Sequence, residues 1–166
     1  MELPALLFLL VSCRAVESRA ATPAGPQAWT VGEWRGTRRD ASDGSRAPMR
    51  LSVRPILGGA GVAEELEVDT GEGAYHGVHI VLHDQKRDLW VSYYANDVGG
   101  RLVPLEGAAE GGGFAWRNAA PERTRESRLV DERLAPDCWR RTQQISEDAG
   151  ATWHMLFIDE LERVRH

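Results

Sequence analysis

Turn signals recur along most of this chain at intervals of about 8–12 residues, which is the spacing of short strands in all-β proteins. Gly71-Glu72-Gly73, Asn96–Gly100 and Gly111-Gly112-Gly113 are three of them. Between the turns, apolar and polar side chains alternate, and a period of two places the apolar ones on a single face of a strand. The pattern therefore predicts an all-β fold of about ten short strands, with no helix of any length.

Two architectures fit this cadence, a meander sandwich and an up-and-down barrel. A propeller would repeat its hairpin motif, whereas the pattern Ser-x-Asp-x-Gly-x-x-Trp occurs once, at Ser146–Trp153. We favour the barrel, because closure removes the edges that an open ten-stranded sheet would expose to aggregation. The predicted fold is an up-and-down antiparallel β-barrel of about ten strands that occupies residues 27–166 as one domain.

The motif at Ser146–Trp153 predicts a tight β-hairpin. Asp148 can accept hydrogen bonds from nearby backbone N–H groups, and Gly150 can adopt a positive φ without a Cβ clash. The spacing resembles the Asp-box hairpin of sialidase-like propeller blades, in which the polar residues hold the turn and the Trp packs beneath it. The resemblance implies structural roles for Ser146, Asp148, Gly150 and Trp153. We expect the donors that Asp148 binds to be buried.

Residues 1–26 are predicted to be an export leader followed by a tether. Leu3–Val11 is an apolar run of signal-peptide length, too short to span a bilayer as a helix. Leu10-Val11-Ser12-Cys13 resembles the lipobox of bacterial lipoproteins, which implies lipidation of Cys13. Cleavage after Ser18-Arg19-Ala20 is the alternative. Either route predicts an exported protein, periplasmic or held at a membrane only through its lipid.

The charge and the cysteine content argue against a nucleic-acid partner and against an internal disulfide. The net charge is −5 and is spread along the sequence, which argues against nucleic acid as a partner. The chain has two cysteines, so lipidation or removal of Cys13 leaves Cys138 without a disulfide partner. Nothing in the sequence indicates an oligomeric state.

Three histidines, His76, His79 and His83, have a spacing that would suit zinc on a helix. The residues between them are strand formers, however. On a strand His76 points away from His79, and His79 lies about 13 Å from His83. We therefore interpret them as ordinary histidines and predict no metal. Nothing beside His154 resembles a haem-binding motif, so no cofactor is predicted.

Two pairs of adjacent carboxylates, Glu64-Glu65 and Asp159-Glu160, could in principle do acid–base chemistry. Adjacent residues on a strand face opposite sides, so neither pair can form a catalytic dyad by itself. No nucleophile triad, phosphate-binding loop or dinucleotide fingerprint is present, and we predict no catalytic residue.

Aromatic residues mixed with Arg and Gln form the best candidate for a binding site. They share strand faces, and such a mixture suits a cavity that holds an amphipathic ligand. Tight core packing would explain the same pattern. The predicted ligand-binding residues are Trp90, Tyr94, Trp139, Arg141, Gln143 and Trp153.

Gly32-Glu33-Trp34 resembles the G-x-W motif on the first strand of lipocalin-like (calycin) barrels, and Arg163 stands where the Arg of their last strand falls. Together with Leu57-Gly58-Gly59 and the His83–Trp90 hairpin, the pattern is similar to bacterial lipocalin-like domains of unknown function. The resemblance implies that Trp34 packs under Arg163 at the closed end of a barrel.

The lipocalin-like pattern leads us to expect a domain that binds a small apolar or amphipathic molecule inside the barrel. Two alternatives stay open, an isomerase, cyclase or hydrolase that uses the same cavity, and a packed barrel that binds partners. A carboxylate or histidine within reach of a ligand atom would favour the enzyme, and a filled interior the partner-binding module.

Overall fold

The computed structural model describes residues 27–100, 102–110, 113–118 and 125–165. The leader and tether, with the predicted lipidation site Cys13, lie outside the described residues. Two single-turn 3-10 segments, Ala28–Thr30 and Leu57–Gly59, are the helical elements of the described part. None of its helices has the length and apolar character needed to cross a membrane.

Ten antiparallel strands form a closed barrel in which each strand pairs with its neighbours in sequence and β1 pairs with β10. This confirms the predicted up-and-down barrel. The strands are β1 (Gly32–Asp40), β2 (Arg46–Ile56), β3 (Gly61–Asp69), β4 (Ala74–Asp84), β5 (Leu89–Asn96), β6 (Val103–Glu110), β7 (Gly113–Asn118), β8 (Glu126–Ala135), β9 (Cys138–Ser146) and β10 (His154–Arg163).

One end of the barrel is closed by a plug, which consists of the N-terminal segment Ala28–Thr30 and the side chain of Arg163. Trp34 on β1 is opposite Arg163 on β10, and the guanidinium lies 4.2 Å from the centroid of the buried indole. Arg163 Nη1 donates to the Val31 carbonyl (2.6 Å), and Nη2 donates to the Trp29 carbonyl (2.8 Å). The structure therefore contains the contact that the lipocalin-like resemblance implies.

Apolar side chains fill the barrel above this plug. Trp139 contacts Trp34 edge to face, with ring centroids 5.4 Å apart. Phe114 and Trp116 pack against each other and cover Gly107, where a Cβ would lie 2.3 Å from the Phe114 ring. Glycine is required there because the aromatic rings occupy the space of a side chain. These packed side chains fill only part of the barrel interior, and a cavity lies beyond them.

The hairpin between β9 and β10 differs from the prediction in which of its residues is buried. Ser146 is fully buried, and its Oγ accepts from the Gly150 N–H (2.8 Å) and donates to Asp148 Oδ1 (2.7 Å). Asp148 is exposed, and it accepts from the N–H (2.8 Å) and hydroxyl (2.7 Å) of the exposed Thr152. Gly150 has the expected positive φ of 83°. The expectation that Asp148 holds buried donors was wrong, because the turn projects into solvent.

A β-bulge in β10 determines where Trp153 lies. Met155 pairs with Gln144 and Phe157 with Gln143, which are consecutive residues of β9. Consecutive residues face opposite sides of a sheet, so the bulge places Met155 and Phe157 on opposite faces. Trp153 precedes the first residue of β10 and is half-buried. It therefore does not share an inward face with Phe157.

Candidate functional site

A cavity of about 220 Å³ occupies the barrel beyond the packed apolar layers. Arg38 follows Trp34 by four residues on β1, and Gln143 follows Trp139 by four on β9, which places both farther from the closed end. The volume equals that of roughly seven waters at liquid density. It is below the usual size range of drug-binding pockets, so the cavity suits a small molecule.

The cavity wall is part apolar and part polar. The apolar lining residues are Leu66, Val103, Leu105 and Leu129. The polar and charged ones are Arg38, His79, Tyr94, Asn96, Ser127, Arg128, Arg141 and Gln143.

Arg141 is at the centre of a buried network of charges. Its Nε donates to Asp131 Oδ1 (2.6 Å) and its Nη1 to Glu64 Oε2 (2.8 Å). Nη2 lies 3.1 Å from Glu64 Oε1 and 3.3 Å from Asp131 Oδ2. Both carboxylates are at most 1% exposed. The guanidinium thus joins β3, β8 and β9 through bidentate bonds, which fix its orientation.

The network is anchored to the apolar core by Asp131. Its Oδ1 accepts from Trp139 Nε1 (3.0 Å) and its Oδ2 from Trp116 Nε1 (3.2 Å). These two bonds pair indole N–H groups that burial would otherwise leave without an acceptor. The same carboxylate therefore organises both the core and the floor of the cavity.

His79 extends the network to the cavity surface. Its Nδ1 lies 3.1 Å from Glu64 Oε2, and the residue is 3% exposed. Because a carboxylate oxygen only accepts, the proton of this bond belongs to Nδ1. The other ring nitrogen, Nε2, is buried and has no hydrogen-bond partner in the described part of the chain. The ring is held edge-on to Trp116, at a centroid distance of 5.5 Å.

Electrostatics keep Glu64 and Arg141 ionised. Burial raises the pKa of Glu64, but the charge of Arg141 and the hydrogen bonds from His79 and Arg141 outweigh burial and hold it below its ordinary value. Burial likewise lowers the pKa of Arg141, but Asp131 and Glu64 raise it above its usual range. Two carboxylates therefore face one guanidinium, which leaves an excess of negative charge beside the imidazole of His79.

A second, part-buried ion pair joins β1 to β10, and its arginine lines the cavity. Arg38 binds both carboxylate oxygens of Asp159, each at 2.8 Å. The Tyr94 hydroxyl bonds to the Tyr75 hydroxyl. Burial and this bond both raise the pKa of Tyr94, so its hydroxyl stays neutral at ordinary pH.

The structure brings together three of the six residues predicted to bind a ligand. Tyr94, Arg141 and Gln143 line the cavity. Trp139 lies in the core with its N–H on Asp131, and Trp90 packs on Phe114 with ring centroids 6.2 Å apart. Neither faces the cavity.

Trp153, the sixth predicted residue, sits at the hairpin, where the Arg128 guanidinium lies 6.0 Å from its ring centroid. It does not line the cavity either.

Sequence reasoning missed the acidic half of the network and His79. Glu64, Asp131 and His79 all lie at inward positions of their strands. Glu64, for example, lies between the buried Val62 and Leu66 on the same face of β3. A charged residue in a row of core positions was the available signal, since burial of an unpaired charge is costly.

A larger groove of about 740 Å³ is lined by exposed charges of both signs, among them Arg35, Arg50 and Glu160. These charges are hydrated, and the interior cavity is the better candidate. No group of three or more His, Cys, Asp or Glu residues within the described ranges is placed to hold a metal ion.

Fold and cavity together define a closed antiparallel β-barrel with a partly polar interior, an architecture compatible with lipocalin-like ligand binding. Comparison with protein-family models gives no match, and comparison with curated proteins gives none either.

Proposed function

We propose that this protein is a lipocalin-like barrel that binds a small amphipathic molecule in its interior cavity. The observation that carries the proposal is the 220 Å³ cavity, whose lining combines apolar side chains with polar groups held in a fixed network. Leu66, Leu105 and Leu129 would contact the apolar part of a ligand. Tyr94 and Gln143 supply hydrogen-bonding groups that would orient its polar end.

The polar side of the cavity is preorganised for binding. Arg141 makes bonds to two carboxylates, and Arg38 makes two bonds to a third. Groups that are already held in place lose little conformational entropy when a ligand arrives. The arrangement thus supports selective binding of a small molecule rather than loose uptake of any apolar compound.

A cavity-filling substitution tests this proposal. The probe is 1-naphthol, a small amphipathic molecule, and binding is measured by equilibrium dialysis. We expect saturable binding to the wild-type protein and at least a tenfold loss in Leu129→Trp, whose indole would occupy the cavity. Val78→Trp, at an exposed position on β4, is the matched control and should bind like wild type. Equal binding by Leu129→Trp would show that the site lies elsewhere, and no binding by wild type would count against a cavity for this chemistry.

We also propose that the protein is exported and tethered through a lipid on Cys13. Leu3–Val11 and the lipobox-like Leu10–Cys13 support this. Expressed in a Gram-negative host, the protein should partition into detergent, and Cys13→Ala should release it or block its processing. A mature N-terminus at Ala21, measured by mass spectrometry, would contradict lipidation and favour secretion.

The relation to lipocalin-like domains is likewise a proposal. It is supported by the closed barrel and by the Trp34–Arg163 contact at its plugged end.

A further inference from the structure

We infer that His79, oriented by Glu64, is a general base, and that the barrel catalyses proton transfer on a small carbon acid bound in the cavity. The inference rests on the proposed function, because the substrate must occupy the same cavity. The bound molecule would then be a substrate, and the reaction would be an isomerisation or an elimination. In both, a C–H proton next to an electron-withdrawing group is removed.

The first argument is geometric. The 3.1 Å bond from Nδ1 to Glu64 fixes the tautomer of His79, so the lone pair of the neutral imidazole lies on Nε2. That atom is buried, has no partner among the described residues, and belongs to a side chain that lines the cavity. A buried polar atom without a partner is unusual in a folded protein and calls for an explanation. A base directed at a substrate provides one.

The second argument concerns charge. Proton abstraction turns the imidazole of His79 into an imidazolium. Glu64 accepts the Nδ1 proton, and Asp131 stands behind Arg141, so the three groups carry one net negative charge. A new positive charge on the ring would make the buried cluster neutral. The reaction therefore creates its positive charge beside groups of opposite charge.

The third argument concerns the negative charge that develops on the substrate. Arg141 on β9, Tyr94 on β5 and Arg38 on β1 are among the cavity-lining side chains with N–H or O–H donors. The His79 and Tyr94 rings lie 6.2 Å apart, so a small molecule can reach both. Burial keeps the Tyr94 hydroxyl protonated and able to donate to an oxyanion.

The step is balanced without any further reactant. The substrate C–H bond breaks and its proton moves to His79 Nε2. The electron pair enters the conjugated system of the substrate and places negative charge on an oxygen. Return of the proton to another carbon completes an isomerisation, and loss of a leaving group completes an elimination. Glu64 is a positioning residue in this scheme, because it touches the base and not the substrate.

5-Nitrobenzisoxazole tests the inference, because a base alone converts it. The ring C–H proton moves to the base, its electron pair forms the nitrile, and the N–O bond breaks to release a coloured phenolate. We expect saturable turnover by the wild-type protein. His79→Gln should lower kcat by about 100-fold or more, the usual contribution of a general base.

Two further variants separate catalysis from folding. His76→Gln removes an exposed histidine from the same strand and should leave kcat unchanged. Glu64→Gln should lower kcat and alter the pH profile while the probe still binds. Thermal unfolding checks that each variant is folded. ¹⁵N-histidine NMR of the wild-type protein needs no variant, and it should show a protonated Nδ1 and a bare Nε2 on His79.

The outcomes distinguish this inference from the proposal on which it rests. Equilibrium dialysis with the stable product phenolate measures binding to the cavity independently of the reaction. Binding with turnover that does not depend on His79 would overturn the acid–base inference and leave ligand binding intact. A wild-type His79 that carries its only proton on Nε2 would overturn it as well. Absence of any binding in the cavity would overturn both.

Discussion

Among single residues, Ser146 contributes more to the β9–β10 hairpin than the acidic residue that makes the motif recognisable. Its buried hydroxyl accepts from the Gly150 N–H and donates to Asp148. Asp148 accepts from Thr152 at the exposed tip, and these bonds lower the pKa of Asp148 to about 2. If the Asp148 carboxylate is removed, water can accept the hydrogen bonds of Thr152, because both residues are exposed.

Ser146→Ala should therefore destabilise the protein more than Asp148→Ala does. The first change removes the acceptor of a part-buried backbone N–H, at a cost of about 1–3 kcal/mol. The second exposes its donors to solvent. Urea unfolding of both variants measures the difference, and a larger loss in Asp148→Ala would reverse this assignment.

Among the strands, the seam between β1 and β10 decides whether the sheet closes. Seven residue pairs run from Trp34↔Arg163 to Asp40↔Phe157, and Trp34 lies at the end of the seam where Arg163 covers it. The indole N–H donates to the Thr30 carbonyl (2.6 Å), which also fixes the N-terminal segment. One side chain thus joins the first strand, the last strand and the plug.

Trp34→Ala should cost about 3–5 kcal/mol, because it leaves a cavity at a site that is 1% exposed. Trp153→Ala, at a half-buried position outside the strands, is the matched control and should cost less. The check is the denaturant midpoint at a constant slope. Coinciding midpoints for Trp34→Ala and wild type would mean that the plug does not stabilise the closed barrel.

The strands were predictable from sequence because turn chemistry is local. Gly71, Gly73 and Gly150 all adopt a positive φ in the turns that they mark. The alternation between turns then determined which residues face inward. A bulge is harder to predict, because one extra residue reverses which face the preceding side chains of the strand occupy. The bulge between Met155 and Phe157 therefore places Trp153 away from the predicted site.

The interior network was not predictable in the same way, because it depends on contacts between distant strands. Glu64 and Arg141 are 77 residues apart in sequence and meet only across the closed barrel. The sequence neighbour Glu65 faces the other side of the sheet, whereas Glu64 pairs with His79 on the next strand and with Arg141 on β9. The inward position of Glu64 was visible, and its partners were not.

For the whole molecule, the barrel has an apolar half at the plugged end and a charged half around the cavity. Arg141, Glu64 and Asp131 lie at the boundary between them. Burial of these charges costs desolvation free energy, which their mutual pairing offsets. The network therefore adds little net stability, but it strongly constrains the structure. The charged half gives the cavity fixed side-chain positions.

This arrangement predicts how stability depends on acid. Arg141 and His79 outweigh burial and lower the pKa of Glu64 from 4.5 to about 2. A carboxylate whose pKa is depressed in the folded state stabilises that state above its unfolded pKa, and the contribution is lost as pH falls through the folded pKa. Glu64 alone should therefore account for roughly 3 kcal/mol, lost between about pH 4.5 and pH 2.

Urea unfolding at a series of pH values measures this loss, with Glu64→Gln as the test variant and Glu65→Gln, at the exposed neighbouring position, as its matched control. Glu64→Gln should be less stable than wild type at neutral pH, because Arg141 loses a charged partner. Its stability should then fall less steeply in acid, so that the two curves converge near pH 2. Glu65→Gln should follow the wild-type curve throughout. Parallel curves for wild type and Glu64→Gln would show that Glu64 does not carry its charge inside the folded barrel, and the buried network as described would be wrong.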